Sequence, residues 1–294
     1  MDKIKSKNEK IRSFFINLIF ILFSIGSLVP FILTFIVSIS DESSVVKKGF
    51  SFFPNKFSLD AYRAVFADSM VIRSYGVSIF VTVVGTSLSI ILCGLAGYAM
   101  SVGRVKYRNK VALYFYLPMV FNAGLVPWYL VVTKGLMLKN SIFGLILPML
   151  ISPFNLFLFR NYFKSIPAEL SESAEIDGSG PLSTFFRIML PLSKPIIATV
   201  ALFVSLAYWN DWTLSLWLID KKELYPLQYM LYRIQSLISY LKAGNNIGGG
   251  NATLVPAQTV QMATLFVTIG PIILIYPFVQ KYFVKGIMVG AVKG

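Results

Sequence analysis

Long apolar segments separated by polar connections dominate the pattern of hydrophobic and polar positions along this chain. Each apolar segment is long enough for a helix to cross the hydrocarbon core of a bilayer, which requires about 20 residues. Several of them contain Pro or Gly, which are more frequent in membrane helices than in soluble ones. The pattern therefore predicts an all-α membrane protein with six transmembrane helices, at residues 14–39, 75–100, 111–132, 141–160, 196–219 and 262–278.

The polar connections indicate which ends of the predicted helices share a side of the membrane. Six spans place both termini on the same side, together with two of the internal connections. The basic residues of the short segments fall on that side, and Lys and Arg accumulate on the cytoplasmic side of membrane proteins. We therefore expect segments 1–13, 101–110, 161–194 and 286–294 in the cytoplasm and connections 40–74 and 220–261 outside.

Composition supports a membrane protein and excludes several other classes. Mean hydropathy is +0.70 and 56% of the residues are hydrophobic, which is far from a soluble domain. The net charge of +14 arises from basic loops, so we expect no nucleic-acid partner. The chain has no His and a single Cys, Cys93, which excludes an internal disulfide and His- or Cys-based metal sites. The residues on which most acid–base and covalent mechanisms rely are also scarce, so we expect neither catalytic residues nor a metal.

Residues 161–194, which we call the central segment, form a polar interruption between two apolar stretches. Pro167 suits a first helical turn and Gly178 suits a helix end, which predicts one short helix. A second helix is predicted from Pro181 to Met189, with Pro191 ending it. Its spacing predicts one apolar face, formed by Leu182, Phe185, Phe186 and Met189.

The central segment also carries a sequence motif with fixed spacing. It resembles the EAA loop of ABC importer permeases, in which Glu-Ala-Ala is followed at set distances by Gly and by Ile-x-Leu-Pro. The one departure is Ser173 in place of the first Ala, a small residue for a small one. The resemblance implies that the loop is cytoplasmic and couples to an ATPase subunit through Glu172, Ser173, Ala174, Asp177, Gly178, Ile188, Leu190 and Pro191.

The likeness extends over most of the chain. The sequence is similar to carbohydrate-uptake ABC permeases of the maltose type, in particular the lipo- and oligosaccharide branch. The runs that carry this resemblance are 121–127 (FNAGLVP), 190–195 (LPLSKP), 225–228 (YPLQ) and 280–286 (QKYFVKG).

This resemblance implies a type I ABC importer permease fold over residues 75–285 and a place in a bacterial cell membrane. It also implies four kinds of partner: a second homologous permease, two ATPase subunits, an extracellular solute-binding lipoprotein and a saccharide substrate. The chain has no Walker-type phosphate-binding loop, so ATP and Mg are expected on the partner ATPase.

Three glutamates of the central segment, Glu169, Glu172 and Glu175, recur at helical spacing and share a face. They could form a solvated face that balances nearby basic residues, or an acidic contact with the ATPase. The motif favours contact for Glu172, and we expect solvation for Glu169 and Glu175.

A polar and aromatic cluster near the outer end of the fifth span is a candidate for the substrate path. In an ordinary helix Tyr208, Asp211 and Trp212 share one face, with rings and a carboxylate suited to a sugar. An interfacial aromatic belt is the alternative explanation. Asn122 is a weaker candidate for the path, since interhelical hydrogen bonding explains it as well.

Two other function classes remain as alternatives. Prolines within the spans also occur in gradient-driven secondary transporters. However, Asp211 is the only acidic residue within a predicted span, and no inverted repeat is visible. A membrane enzyme is less consistent with the sequence because no catalytic constellation is present.

Overall fold

The computed structural model describes residues 7–67, 69–245, 258–271 and 273, and within them the chain is helical, with one isolated bridge between Ser40 and Phe57. The helices belong to two units, which comprise the described residues of 1–68 with 234–270 and of 69–233 with 271–294. The α-helices are α1 Lys7–Ser38, α2 Glu42–Lys48, α3 Asp60–Ala67, α4 Ser69–Ser101, α5 Arg108–Val120, α6 Leu125–Leu130, α7 Ile142–Ile146, α8 Pro153–Ser165, α9 Glu169–Ile176, α10 Pro181–Thr184, α11 Leu190–Leu192, α12 Lys194–Asn210, α13 Thr213–Leu218, α14 Leu227–Asn245 and a last helix, α15, at 258–271.

The first unit contains the apolar helix α1, two short helices and α15. The predicted polar connection 40–74 contains α2 and α3. Asp41 caps α2 by accepting a hydrogen bond from the Ser44 backbone N–H. The carboxylate of Glu42 accepts hydrogen bonds from the backbone N–H groups of Gln258 (3.1 Å) and Thr259 (2.8 Å). These two donors lie at the start of α15, whose first N–H groups have no partner within the helix.

The second unit is built around α4, which begins at Ser69, ahead of the predicted Tyr75. Three glycines of α4 allow other parts of the chain to approach this helix closely. A Cβ on Gly85 would meet the Tyr208 ring at 2.5 Å, and one on Gly94 would meet the Phe185 ring at 3.3 Å. One on Gly97 would lie 2.9 Å from the backbone nitrogen of Arg160. The small residues of this span therefore allow close packing, as expected of membrane helices.

Three of the predicted spans are interrupted. The third is bent by 118° between α5 and α6, and the fourth by 49° between α7 and α8. At the first of these breaks Gly124 has φ +84, a conformation that favours glycine. The fifth predicted span ends as a helix at Asn210 and resumes as the short helix α13.

The described residues give between two and five candidate membrane spans. Within the described residues, Arg12–Ser38 and Ser69–Ser101 are long and apolar enough to cross a membrane. Three bent helix pairs raise the number to five if each pair is one span. The predicted sixth span is represented by α15, and the rest of it, with tail 286–294, lies outside the described residues.

Contacts at the two ends of α4 involve different parts of the chain. Near its C-terminal end, Arg104 pairs with Glu175 of the central segment. At the opposite end, Ser78 accepts a hydrogen bond from the Leu227 backbone N–H (2.8 Å). A second ion pair joins the connection after the third predicted span to the start of connection 220–261: the Lys139 ammonium lies 3.1 Å from Asp220 and holds the pKa of that carboxyl below its usual value.

The close approach at Gly97 generates a prediction about packing. Gly97→Ala should destabilise the protein by about 1–3 kcal/mol, because the new methyl group meets backbone atoms of α8 that cannot rotate away. Gly76→Ala is the matched control on the same helix, since nothing lies within 4 Å of its added Cβ. Thermal unfolding of the purified protein in detergent measures both, and equal midpoints for the two variants would contradict this account.

Candidate functional site

The first helix of the central segment ends as its sequence predicts. α9 starts at Glu169, shortly after Pro167, and Gly178 follows its end with φ +79. The Ser179 backbone N–H donates to the Ala174 carbonyl (2.8 Å), and the Gly178 N–H donates to the Glu175 carbonyl (2.9 Å). This pair of bonds is the Schellman arrangement that satisfies the last carbonyls of a helix. The left-handed backbone at this point explains why glycine suits position 178.

The second helix differs from the prediction at its C-terminal end. α10 continues into a π-helical turn at Phe185–Met189 and then into α11, so Pro191 does not end the helix. Pro191 lies in the first turn of α11, where its missing N–H group is tolerated. The helical run ends at Ser193, whose hydroxyl donates to the Met189 carbonyl (2.7 Å). An 85° bend there leads into α12.

The predicted single apolar face of the second helix was wrong, because its four residues divide between two directions. Phe185 and Met189 are buried, and the Phe185 ring lies 5.6 Å from the Tyr98 ring. Leu182 is 64% exposed and Phe186 is 45% exposed. The π turn changes the angle between successive residues, so the regular α-helical spacing no longer applies.

The charges of the central segment also differ from expectation at one position. The Glu175 carboxylate receives two hydrogen bonds from the Arg104 guanidinium, so the solvated role predicted for Glu175 was wrong. Glu169 and Glu172 are exposed. The Arg104–Glu175 pair ties α9 to the loop that follows α4, which fixes the position of the central segment relative to that helix.

The eight motif residues of the central segment differ in how exposed they are. Ala174 is buried, Ile188 and Leu190 are half-buried, and the other five are exposed: Glu172, Ser173, Asp177, Gly178 and Pro191. Three large apolar side chains outside the motif extend this exposed surface, which we call the coupling surface: Ile176 (87% exposed), Leu182 and Phe186. Sequence reasoning missed Ile176, although a large apolar residue at the end of a mostly polar short helix is a recognisable pattern.

The substrate-path prediction rested on one continuous helix face, and that premise was wrong. α12 ends at Asn210, and Asp211 has an extended backbone, so Tyr208, Asp211 and Trp212 do not share a helical face. Tyr208 is buried, and its hydroxyl donates to the Ile146 carbonyl (2.8 Å). Its contacts are those of a residue that joins helices rather than of one that faces a path.

The break after α12 gathers a different set of side chains. Asp211 is half-buried and accepts a hydrogen bond from the Leu214 backbone N–H (3.1 Å). The Trp212 ring stacks on the Tyr232 ring, with centroids 4.4 Å apart and planes 15° from parallel. Gln228 donates to the Asn210 side-chain oxygen (3.3 Å). We call the four residues Asn210, Trp212, Gln228 and Tyr232 the outer cluster.

Gln228 and Tyr232 were missed because they come from α14, which follows in the predicted outer connection. Nothing in the spacing of the sequence links these two positions to Asn210 and Trp212. Only the fold brings them together.

Asn122 lies at the 118° break between α5 and α6 and is exposed. Its side-chain oxygen accepts a hydrogen bond from the Gly124 backbone N–H (2.8 Å). The residues around the break line an open cavity of about 740 Å³, which includes Phe121 and Trp128. In a membrane, non-helical backbone is tolerated only against protein or a water-filled cavity, which keeps Asn122 a candidate for the path.

The described residues contain no group of His, Cys, Asp and Glu side chains that could hold a metal ion.

Comparisons with known proteins place the chain in a family. Residues 6–289 match the family described as binding-protein-dependent transport system inner membrane component. Protein LplC of Bacillus subtilis is 41% identical over 91% of this chain and 90% of that protein. The permease YtcP of the same organism, named for polygalacturonan/rhamnogalacturonan transport, is 39% identical over 93% of this chain and 95% of that protein.

Comparison with a solved structure supports the same family through the fold. A bacterial ABC transporter involved in the import of the acidic polysaccharide alginate superimposes with a TM-score of 0.84 at 30% identity, over 96% of this chain and 100% of that chain. The fold is therefore that of a type I ABC permease. These findings favour an ABC importer over a gradient-driven transporter or an enzyme. The chain belongs to the family of binding-protein-dependent transport system inner membrane components, and it is a permease subunit of an ABC importer.

Proposed function

We propose that this chain imports an oligosaccharide as one half of a permease pair in a bacterial cell membrane. The proposed complex contains a second homologous permease, two ATPase subunits that bind ATP and Mg, and an extracellular solute-binding lipoprotein. The observation that carries the proposal is the coupling surface, which exposes large apolar residues around a motif that resembles the EAA loop. The saccharide class is supported by the names of relatives, which include arabinooligosaccharide permeases.

The coupling surface is proposed to dock on an ATPase subunit in the cytoplasm. Ile176, Leu182 and Phe186 expose apolar area that water does not favour. Burial of each large apolar side chain stabilises a complex by about 1.5–3 kcal/mol. Glu172 and Asp177 lie beside them and would supply the polar part of the contact. With the coupling surface docked in the cytoplasm, both termini are proposed to lie there too, and the distribution of basic residues supports this orientation.

Movement of the ATPase would reach the membrane through α4. Phe185 packs against Gly94, and the Arg104–Glu175 pair joins α9 to the loop after α4. A displacement of the central segment therefore acts directly on α4. The spans would then alternate between outward and inward access to the saccharide.

The outer cluster is proposed as part of the saccharide path. Trp212 and Tyr232 expose part of their rings, on which the apolar face of a sugar can stack. The amides of Asn210 and Gln228 supply hydrogen-bond donors and acceptors for hydroxyl groups. Asp211 stabilises the start of α13 instead, through the Leu214 N–H group.

Substitutions at the coupling surface test the docking proposal. Gly178→Asp and Glu172→Lys should each abolish ATP-driven uptake, because a misplaced charge is desolvated without a partner at the contact. Glu169→Lys makes the same charge change on an exposed residue of the same helix and should have a smaller effect. Uptake, membrane insertion and co-purification of the ATPase are measured together. Normal uptake with a fully retained ATPase in Gly178→Asp and Glu172→Lys would refute the docking assignment.

Exchange of two charges tests the link between the central segment and α4. Arg104→Glu and Glu175→Arg should each lower uptake up to about fivefold, since a partly exposed ion pair is worth about 0.2–1 kcal/mol. The double variant with both changes should recover most of the activity. Lys106→Glu is the control, because no described ion pair includes Lys106. If the double variant loses as much uptake as the two single variants lose together, the result argues against the link.

A comparison of two aromatic residues tests the outer cluster. Trp212→Leu should raise the KM for saccharide uptake about two- to tenfold, the value expected for a lost ring contact of about 0.5–1.5 kcal/mol. Tyr208→Phe should leave the KM unchanged and lower the thermal stability, because it removes the hydrogen bond to Ile146. If Trp212→Leu transports saccharide with the normal KM, the cluster is an interfacial belt and not part of the path.

A further inference from the structure

A groove with a basic end lies between α5 and α8, outside every site described above. Its walls enclose about 330 Å³. The residues that line it, which together form the basic groove, are Asn109, Ala112, Leu113, Tyr116, Phe157 and Arg160. Leu113 is 58% exposed and Tyr116 is 51% exposed, so the apolar wall is open to the surroundings of the chain.

Arg160 gives the groove an unsatisfied cation. Its guanidinium lies 5.8 Å from the centre of the Phe157 ring. Its Nε atom is buried and has no hydrogen-bond partner among the described residues. Among the described residues no ion pair neutralises the guanidinium charge, and Arg160 lines the groove, where an anion can contact it.

Two further cations strengthen the field at this end of the groove. Lys164 lies one helical turn beyond Arg160 on α8, and it is within electrostatic reach of both Arg160 and Arg108. In the described part of the chain, no ion pair includes any of the three. Like charges held together without a counter-ion favour an anionic ligand.

The shape of the site narrows the class of anion. Apolar and aromatic side chains line the groove on the α5 side. Arg160 and Lys164 lie at the end of α8 that leads into the central segment, and Arg108 is the first residue of α5. A ligand that fits both parts has an anionic head and an apolar chain. Under the proposed orientation this end is at the cytoplasmic leaflet, where basic pockets between membrane helices attract anionic lipid headgroups.

We propose that the basic groove binds one anionic phospholipid, with the phosphate on Arg160 and an acyl chain along Leu113 and Tyr116. Arg108 and Lys164 add to the attraction from the same end. The inference rests on the proposed orientation of the chain in the membrane. It does not depend on which saccharide is carried or on ATP hydrolysis.

The test uses the complete transporter, purified and reconstituted in nanodiscs of phosphatidylcholine with phosphatidylglycerol. After mild delipidation, native mass spectrometry counts the phosphatidylglycerol that each complex retains. Arg160→Gln should lower the affinity for phosphatidylglycerol about fivefold, the effect of one cation near a lipid headgroup. Arg160→Lys, which keeps the charge, should retain more lipid than Arg160→Gln. Lys106→Gln removes a charge from the neighbouring loop, outside the groove, and should match the unmodified protein.

A photo-reactive side chain at position 113 separates a lipid from a protein occupant. Cross-linking to phosphatidylglycerol supports the proposal, and cross-linking to the second permease overturns it. Equal lipid retention in Arg160→Gln and Lys106→Gln also overturns it. Lipid retention is measured without substrate or ATP, so a failure of saccharide uptake leaves this result unaffected. Labelling of the central segment from one side of sealed vesicles checks the orientation separately.

Discussion

The close packing of α4 against its neighbours is the constraint on which the rest of the second unit depends. Inside a bilayer, hydrophobicity does not draw helices together, so association depends on contact area and on hydrogen bonds between helices. Gly85, Gly94 and Gly97 supply that contact by admitting Tyr208, Phe185 and the backbone of α8. The positions of α8, α12 and the central segment all follow from these three approaches.

The central segment shows how local backbone chemistry leaves large apolar side chains exposed. The hydrogen bonds around Gly178 end α9 without leaving its last carbonyls unsatisfied. The π turn after α10 then directs Phe185 inward and Phe186 outward. Phe185 anchors the segment to the membrane helices, and Phe186 remains exposed. The anchoring role of the segment and its proposed docking role therefore fall on adjacent positions.

Much of this arrangement could be predicted from the sequence where it depends on local pattern. The helical class, the small residues of α4 and the helix end at Gly178 follow from residue types at short range. The π turn could not be predicted, because it contains no distinctive residue and depends on packing. The break at Asn210 does carry a local signal, since Asp211 accepts a hydrogen bond from the backbone at the start of α13. The burial of Tyr208 could not be predicted either, since its hydrogen bond to Ile146 joins residues that are far apart in the chain.

The length of α4 has a mechanical consequence. A continuous helix of 33 residues is about 50 Å long, which exceeds the thickness of the hydrocarbon core. Phe185 contacts it near one end, and Ser78 accepts the Leu227 N–H group near the other. No proline interrupts the helix between these two points. It therefore forms one continuous stiff element, so a small tilt imposed at the end that contacts Phe185 would displace the first turn of α14 at the other end.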